Sequence, residues 1–176
     1  MWNRWVGSIL VAMTLAGCAS VIPEDVLVAA DRGITLPEIR SRPQHYLGRT
    51  VLLGGEILQV TPKQGQTEVE VLERPLGRRD RPQETDESRG RFLVMMDGFL
   101  DPAVYRAGRE VTVVGEVRGL AERPIGEVMY GFPILQGRYL YLWPDRPPIV
   151  YEQIWPDPYW SHDPWFWHRH RFHWYW

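Results

Sequence analysis

A single cysteine, Cys18, and a single lysine, Lys63, stand in a chain of 176 residues. Such a chain forms no internal disulfide and no thiolate metal cluster, and Lys63 is not part of a Gly-x-x-x-x-Gly-Lys phosphate loop. Of its serines, Ser20, Ser41, Ser88 and Ser161 follow the cysteine, and none lies in a Gly-x-Ser-x-Gly elbow. Ser88, in Glu87-Ser88-Arg89-Gly90, reads as a turn residue; Asp97 and Asp101 read as a strand-end turn and a helix cap rather than an acid–base pair. Charge of one sign is also lacking: 20 basic residues face 22 acidic ones with no basic stripe, which argues against nucleic-acid binding. No apolar run approaches the ~20 residues needed to span a bilayer as a helix.

What is present begins at the N-terminus. Arg4 supplies a basic n-region, Val6 to Leu15 an apolar h-region, and Leu15-Ala16-Gly17-Cys18 the small-residue junction of a bacterial lipobox. The alternative is an ordinary signal peptide with an incidental cysteine. On the lipobox reading residues 1–17 are removed and Cys18 carries acyl chains, which anchor firmly once two or more are present, at about 0.8 kcal/mol per buried methylene. Ala19 rather than Asp follows the cysteine, so the inner-membrane retention signal is missing and the outer membrane is expected. The remaining 159 residues, at a net charge of about −3, suffice for one domain with a real core.

Residues 18–34 read as a lipidated tether that docks at its far end, broken by Pro23 and Gly33. Thr35-Leu-Pro-Glu38 has capping-box spacing and predicts a short helix ending near Arg42-Pro43. From Thr50 the apolar period becomes two. Strands are expected at 50–60, 66–73, 91–96, 109–117 and 138–143, with 125–130 a possible further segment. Gly54-Gly55 would supply a bulge or bend that lets the first strand serve two sides of a barrel. Val51, Leu53, Val69, Val71, Phe92, Val94, Val111 and Val113 should share one core. Asp101-Pro102 to Gly108 predicts a one- or two-turn helix between the third and fourth strands. This order is that of a mainly β, OB-like antiparallel barrel over residues 35–145, with another small β-barrel or sandwich as the alternative. The polar, proline-punctuated run 74–90 reads as a solvated loop or, less simply, a binding loop.

Residues 146–176 form a Pro-, aromatic- and His-rich tail, read as extended or disordered. Its Trp155, Trp160, Trp165, Trp167, Trp174 and Trp176 suit a membrane interface or a partner surface. Packing over the barrel is a further possibility. His162, His168, His170 and His173 are candidate metal ligands, though their spacing matches no defined zinc pattern.

Several strings together resemble the Slp family of starvation-inducible outer-membrane lipoproteins. They are LAGC at 15–18, GGEIL at 54–58, EVEVLERPL at 68–76, SRGRF at 88–92, GFLDPAVY at 98–105, GREVTVVGEVRG at 108–119 and IGEVMYGFPIL at 125–135, followed by Trp143. The resemblance covers roughly residues 18–145. It implies outer-membrane anchoring and an association with starvation or stationary phase, and it carries over no catalytic residue. The expectation is therefore a non-enzymatic, cofactor-free outer-membrane lipoprotein on the periplasmic face, serving envelope integrity under stress. The alternatives are a binding module whose barrel face takes an envelope glycan or partner protein, and metal binding through the tail.

Overall fold

The computed structural model describes residues 21–146. Five strands, β1 (Thr50–Lys63), β2 (Gln66–Glu73), β3 (Arg91–Asp97), β4 (Glu110–Ile125) and β5 (Val128–Leu142), close into a barrel in the order β1-β2-β3-β5-β4. All neighbouring pairs are antiparallel except β3 with β5, which runs parallel through Leu93–Ile134 and Met95–Gln136. This is OB topology, as the strand order predicts, and closure gives every strand a neighbour on both sides.

Alternation builds the interior. Val51, Leu53, Val69, Val71, Phe92, Val94, Val111 and Val113 fall into one buried cluster, joined by Ile57, Val117 and Leu135. β-branched side chains dominate it because they fill a pleated wall with little rotamer entropy to lose. A short helix, α2 (Leu36–Ser41), adds Leu36 and Ile39 to the same core. The Glu38 carboxylate reaches back to its start, accepting from the Thr35 N–H at 2.8 Å and the Thr35 hydroxyl at 2.6 Å. These bonds hold the Glu38 carboxyl below its usual value. Pro43 does not end helical structure; it sits at the first position of a second one-turn helix, α3 (Pro43–Tyr46), where a missing N–H costs nothing.

Gly54 and Gly55 lie where β1 changes partner. Gly55 is opposite Val111 on β4 and Glu73 on β2 at once. A methyl group there would collide with the Leu72 carbonyl oxygen, so close backbone approach is what requires glycine. The bulge itself falls later, between Ile57 and Gln59.

Three segments differ from expectation. Residues 101–108 form a turn rather than a helix: Tyr105 N–H bonds the Asp101 carbonyl at 2.9 Å, the Asp101 side chain accepts from Ala103 N–H at 2.9 Å, and the chain does not continue helically. β4 and β5 extend well beyond the expected spans and meet at a turn around Gly126, so 125–130 is their hairpin tip rather than an extra strand. Register shifts at Val114/Gly115 and Val117/Gly119 coil this long hairpin. The tether, finally, docks along most of its length. Ile22 is buried with Leu52 and Val114 outside the barrel wall, α1 (Glu24–Leu27) follows, and Asp31 bridges Val51 in parallel. Burying Ile22 alone contributes about 2 kcal/mol.

Candidate functional site

OB barrels bind ligands on the outer face of β2 and β3, between the β1–β2 and β4–β5 turns. In this chain the β4–β5 arm, residues 118–133, reaches across that face. Arg123 on the arm forks onto both oxygens of Glu68 on β2, at 2.6 and 2.8 Å, and Lys63 Nζ reaches the same carboxylate at 2.7 Å. Bidentate guanidinium pairing of this kind is directional as well as strong. The Arg123 hydrogen bonds, followed by those from Lys63, pull the Glu68 carboxyl down to about 2 against the opposing effect of burial. Further along, the Tyr130 hydroxyl accepts from the Arg91 N–H at 3.0 Å and from Arg40 Nη1 at 2.6 Å, tying the arm to β3 and to α2. Tyr130 also packs edge-on against the buried Phe132. Leu93, whose neighbours Phe92 and Val94 point inward, is nevertheless only 1 % exposed. The face is filled and polar, with no concave aromatic platform among the described residues.

A second feature is a cavity of about 220 Å³ beside the start of β1, lined by apolar Ile34, Leu52, Leu53, Pro75 and Leu76 and by Glu73, Arg32 and Arg89. Glu73 is buried at the end of β2. One of its oxygens accepts the Arg89 N–H at 3.0 Å; the other stands 4.0 Å from the Arg89 guanidinium. Burial pushes this carboxyl above its usual value, and the hydrogen bond from Arg89 only partly offsets it.

The 74–90 loop is less solvated than its composition suggests. Its first half packs on the barrel: Asp80 is buried, pairs with Arg32 at 2.6 Å, and lends its carbonyl to the Thr112 hydroxyl at 2.6 Å. Arg79 and Asp80 both hold left-handed backbone, at φ 56° and 62°, a conformation Asp tolerates better than most residues. The chain continues to Trp143, whose indole N–H donates to Thr112 Oγ1 at 2.9 Å while Arg81 lies 5.2 Å over its ring. From Thr85 to Arg89 the loop is mostly exposed.

Ser88 Oγ accepts from Gly90 N–H at 3.1 Å, a local turn contact as expected, while Asp97, the last residue of β3, accepts from Gln136 Nε2 on β5 at 3.1 Å. Cys18, the tail tryptophans and the four tail histidines lie outside the described residues. Among the described residues no group of His, Cys, Asp and Glu could hold a metal ion, and no helix is long and apolar enough to cross a membrane. Glu68, Glu73, Asp80 and Arg123 were not singled out by sequence reasoning. Glu68 shows only as one acidic position in an alternating strand, and its partner is 55 residues away.

The sequence profile of the outer membrane lipoprotein Slp family matches residues 15–173, reaching into the tail well past the strings that carry the resemblance. Among curated relatives, the chain is 33 % identical over 156 residues to the lipoprotein YeaY of Escherichia coli, covering 88 % of this chain and 77 % of that one. It is 27 % identical over 177 aligned residues to the outer membrane protein Slp of the same organism, covering 90 % of each. An uncharacterised Haemophilus influenzae protein matches at 33 % over 96 residues, about half of each chain. A profile match over nearly the whole chain, on a barrel whose strands hold the matching strings, makes this chain a member of the outer membrane lipoprotein Slp family.

Proposed function

We propose that this lipoprotein is non-enzymatic, is anchored through acylated Cys18 to the periplasmic leaflet of the outer membrane, and serves envelope integrity under starvation or stress. The observation that carries the reading is the Arg123–Glu68–Lys63 latch. It seats the protein's own arm on the surface that other OB barrels offer to ligands, so the barrel works as a body rather than as an open receptor. The lipobox at 15–18 and the family's membership of the outer membrane support the location. Six tryptophans in the last 26 residues support a second contact, with lipid or an envelope protein. Deleting the protein should raise uptake of a large hydrophobic dye in carbon-starved cells. Wild-type chain should restore the barrier and Cys18→Ser should not; an unchanged barrier after deletion would refute the envelope role.

One observation favours the rival binding module. The Glu73 cavity combines apolar walls with a buried carboxyl and two arginines, a composition suited to one small polar group of a glycan or peptide. Calorimetric titration with soluble peptidoglycan fragments tests it. Binding by the wild type that is lost in Glu73→Gln, with the fold retained, would move the conclusion to that reading.

A further inference from the structure

Three residues, Ala19, Ser20 and Val21, separate Cys18 from Ile22, and Ile22 is already buried on the barrel wall. A chain extends at most about 3.6 Å per residue, so the Cα of Cys18 stays within about 14 Å of the Cα of Ile22 whatever path the residues between them take. That leash is short beside the barrel's strands: β1 alone has 14 residues, about 45 Å of path along the strand at ~3.3 Å each. A body held so closely cannot present every side to its membrane equally.

Exposed apolar side chains occur at both ends of the barrel, and Val128 and Met129 add a third set at the tip of the β4–β5 arm. Val28, 88 % exposed, directly follows α1, and Leu47, 44 % exposed, directly follows α3. The two are near one another, because Val28 to Asp31 and Gly48 to Thr50 line a single open hollow. Phe99, 71 % exposed, and Val104 lie at the other end, where Gly98 N–H bonds the carbonyl of Gly65 in the β1–β2 turn. Arginine distinguishes the two end sets by position rather than by net charge: α2, α3 and the turn after them carry Arg40, Arg42 and Arg49 against Glu38, while Glu24 and Asp25 lie on α1 and Asp31 just after it. Glu38 is tied to Thr35, Arg49 pairs with Asp31, and Arg40, Arg42 and Arg49 are exposed.

We infer that the end of the barrel formed by α1, α2, α3 and the turn at 47–49 rests on the phospholipid surface that holds Cys18. Val28 and Leu47 enter the acyl boundary, and Arg40, Arg42 and Arg49 meet the phosphates. Apolar tips ringed by arginine suit this depth, since the guanidinium reaches back to the headgroups while its methylenes stay in apolar surroundings. The inference rests on acylation of Cys18 and adds the orientation that acylation by itself leaves open.

The scarcity of cysteine makes the test direct, because with Cys18 acylated an introduced cysteine is the sole free thiol. The full lipidated chain is prepared with Val28→Cys, Leu47→Cys, Phe99→Cys or Val104→Cys, labelled with a small fluorophore, and reconstituted into phosphatidylethanolamine–phosphatidylglycerol vesicles containing nitroxide lipid. These four side chains are exposed, and far-UV circular dichroism checks that the fold is retained. Labels at 28 and 47 should be quenched several-fold more than labels at 99 and 104, and Arg42→Glu should reduce the difference. Equal quenching at both ends, stronger quenching at 99 and 104, or none at any position would overturn the orientation. Intact mass is read before reconstitution: a chain lacking acyl mass refutes the anchoring reading itself, whereas acylated protein with the wrong quenching pattern refutes only the orientation.

Discussion

β4 and β5 are paired from one end to the other, yet their two halves are held by different forces. In the inner half, Val111, Val113, Val117 and Leu135 are removed from water in the barrel core, where each side chain touches several others. In the outer half, the arm over residues 118–133, the buried Phe132 is joined by polar contacts that fix direction: Arg123 on Glu68, and Tyr130 between Arg40 and the Arg91 backbone. Apolar burial is strong and non-directional, so it closes the barrel without specifying which way an extension leans. A bidentate ion pair is weaker but has one geometry, and it decides where the arm lies.

The largest expected effect breaks the inner half. Phe92→Ala removes the largest fully buried side chain among the described residues and should cost about 3–5 kcal/mol, read as a fall in the urea midpoint of one cooperative transition. A loss under 1 kcal/mol would mean that the core is not close-packed there. Gly55→Ala attacks the same half through the backbone. Its methyl falls on the Leu72 carbonyl oxygen where β1 is paired on both sides, so a loss of about 1–3 kcal/mol is expected.

Glu68→Gln tests the outer half. A shift from 4.5 to about 2 corresponds to about 3 kcal/mol; with Arg123 nearly half exposed, solvent screening reduces the expected loss to about 1–2 kcal/mol. Amide hydrogen exchange should quicken over 118–133 and stay slow over 110–117. Uniform quickening would show that the two halves are not separable. The pH dependence has a definite sign. Because the folded value lies below the unfolded one, the Glu68 contribution is present above about pH 4.5 and is lost as pH falls toward 2.

Glu73 should behave in the opposite way, since burial raises its folded value above 4.5. Its protonated form is favoured in the fold, so this residue's contribution to stability falls as pH rises above about 4.5 through the folded value. Glu73→Gln should therefore be neutral or slightly stabilising at pH 7, with no gain at pH 4. A clear destabilisation at neutral pH would show the carboxylate to be better compensated than its surroundings indicate. Smallest of all, Arg106→Ala breaks a solvent-exposed pair with Asp145 and should change stability by less than about 0.5 kcal/mol in thermal unfolding.

The division between core and latch is also the division between what could be read and what could not. Val51, Val69, Phe92 and Val111 announce themselves because a strand has period two and a closed barrel has one dry side. Gly54-Gly55 marks the point where β1 serves two neighbours, although the bulge formed beyond it, where the register of β1 against β2 slips. Asp101 caps a turn that the local pattern overstates as a helix, because a cap and a proline start helical geometry without supplying an apolar face to sustain it. Glu68, Asp80 and Arg123 carry no such mark. An acidic residue on a wet-looking strand has the same local pattern whether its partner is solvent or an arginine 55 residues away.

From sequence alone came the strand order, the identity of the barrel core, the lipobox reading and the family resemblance, since each depends on short-range periodicity or on contiguous strings. Tertiary structure alone decided that the β4–β5 arm covers the β2–β3 face, that half of the 74–90 loop is packed on the barrel, and that the tether is docked from Ile22 onward. Those outcomes depend on pairs brought together across 30 to 92 residues of chain: Thr112 with Asp80, Arg123 with Glu68, and Leu52 and Val114 with Ile22. Hydrophobic periodicity says that such surfaces will be buried, but not by what, because apolar attraction has no direction and the polar contacts that supply one exist only after the chain has folded.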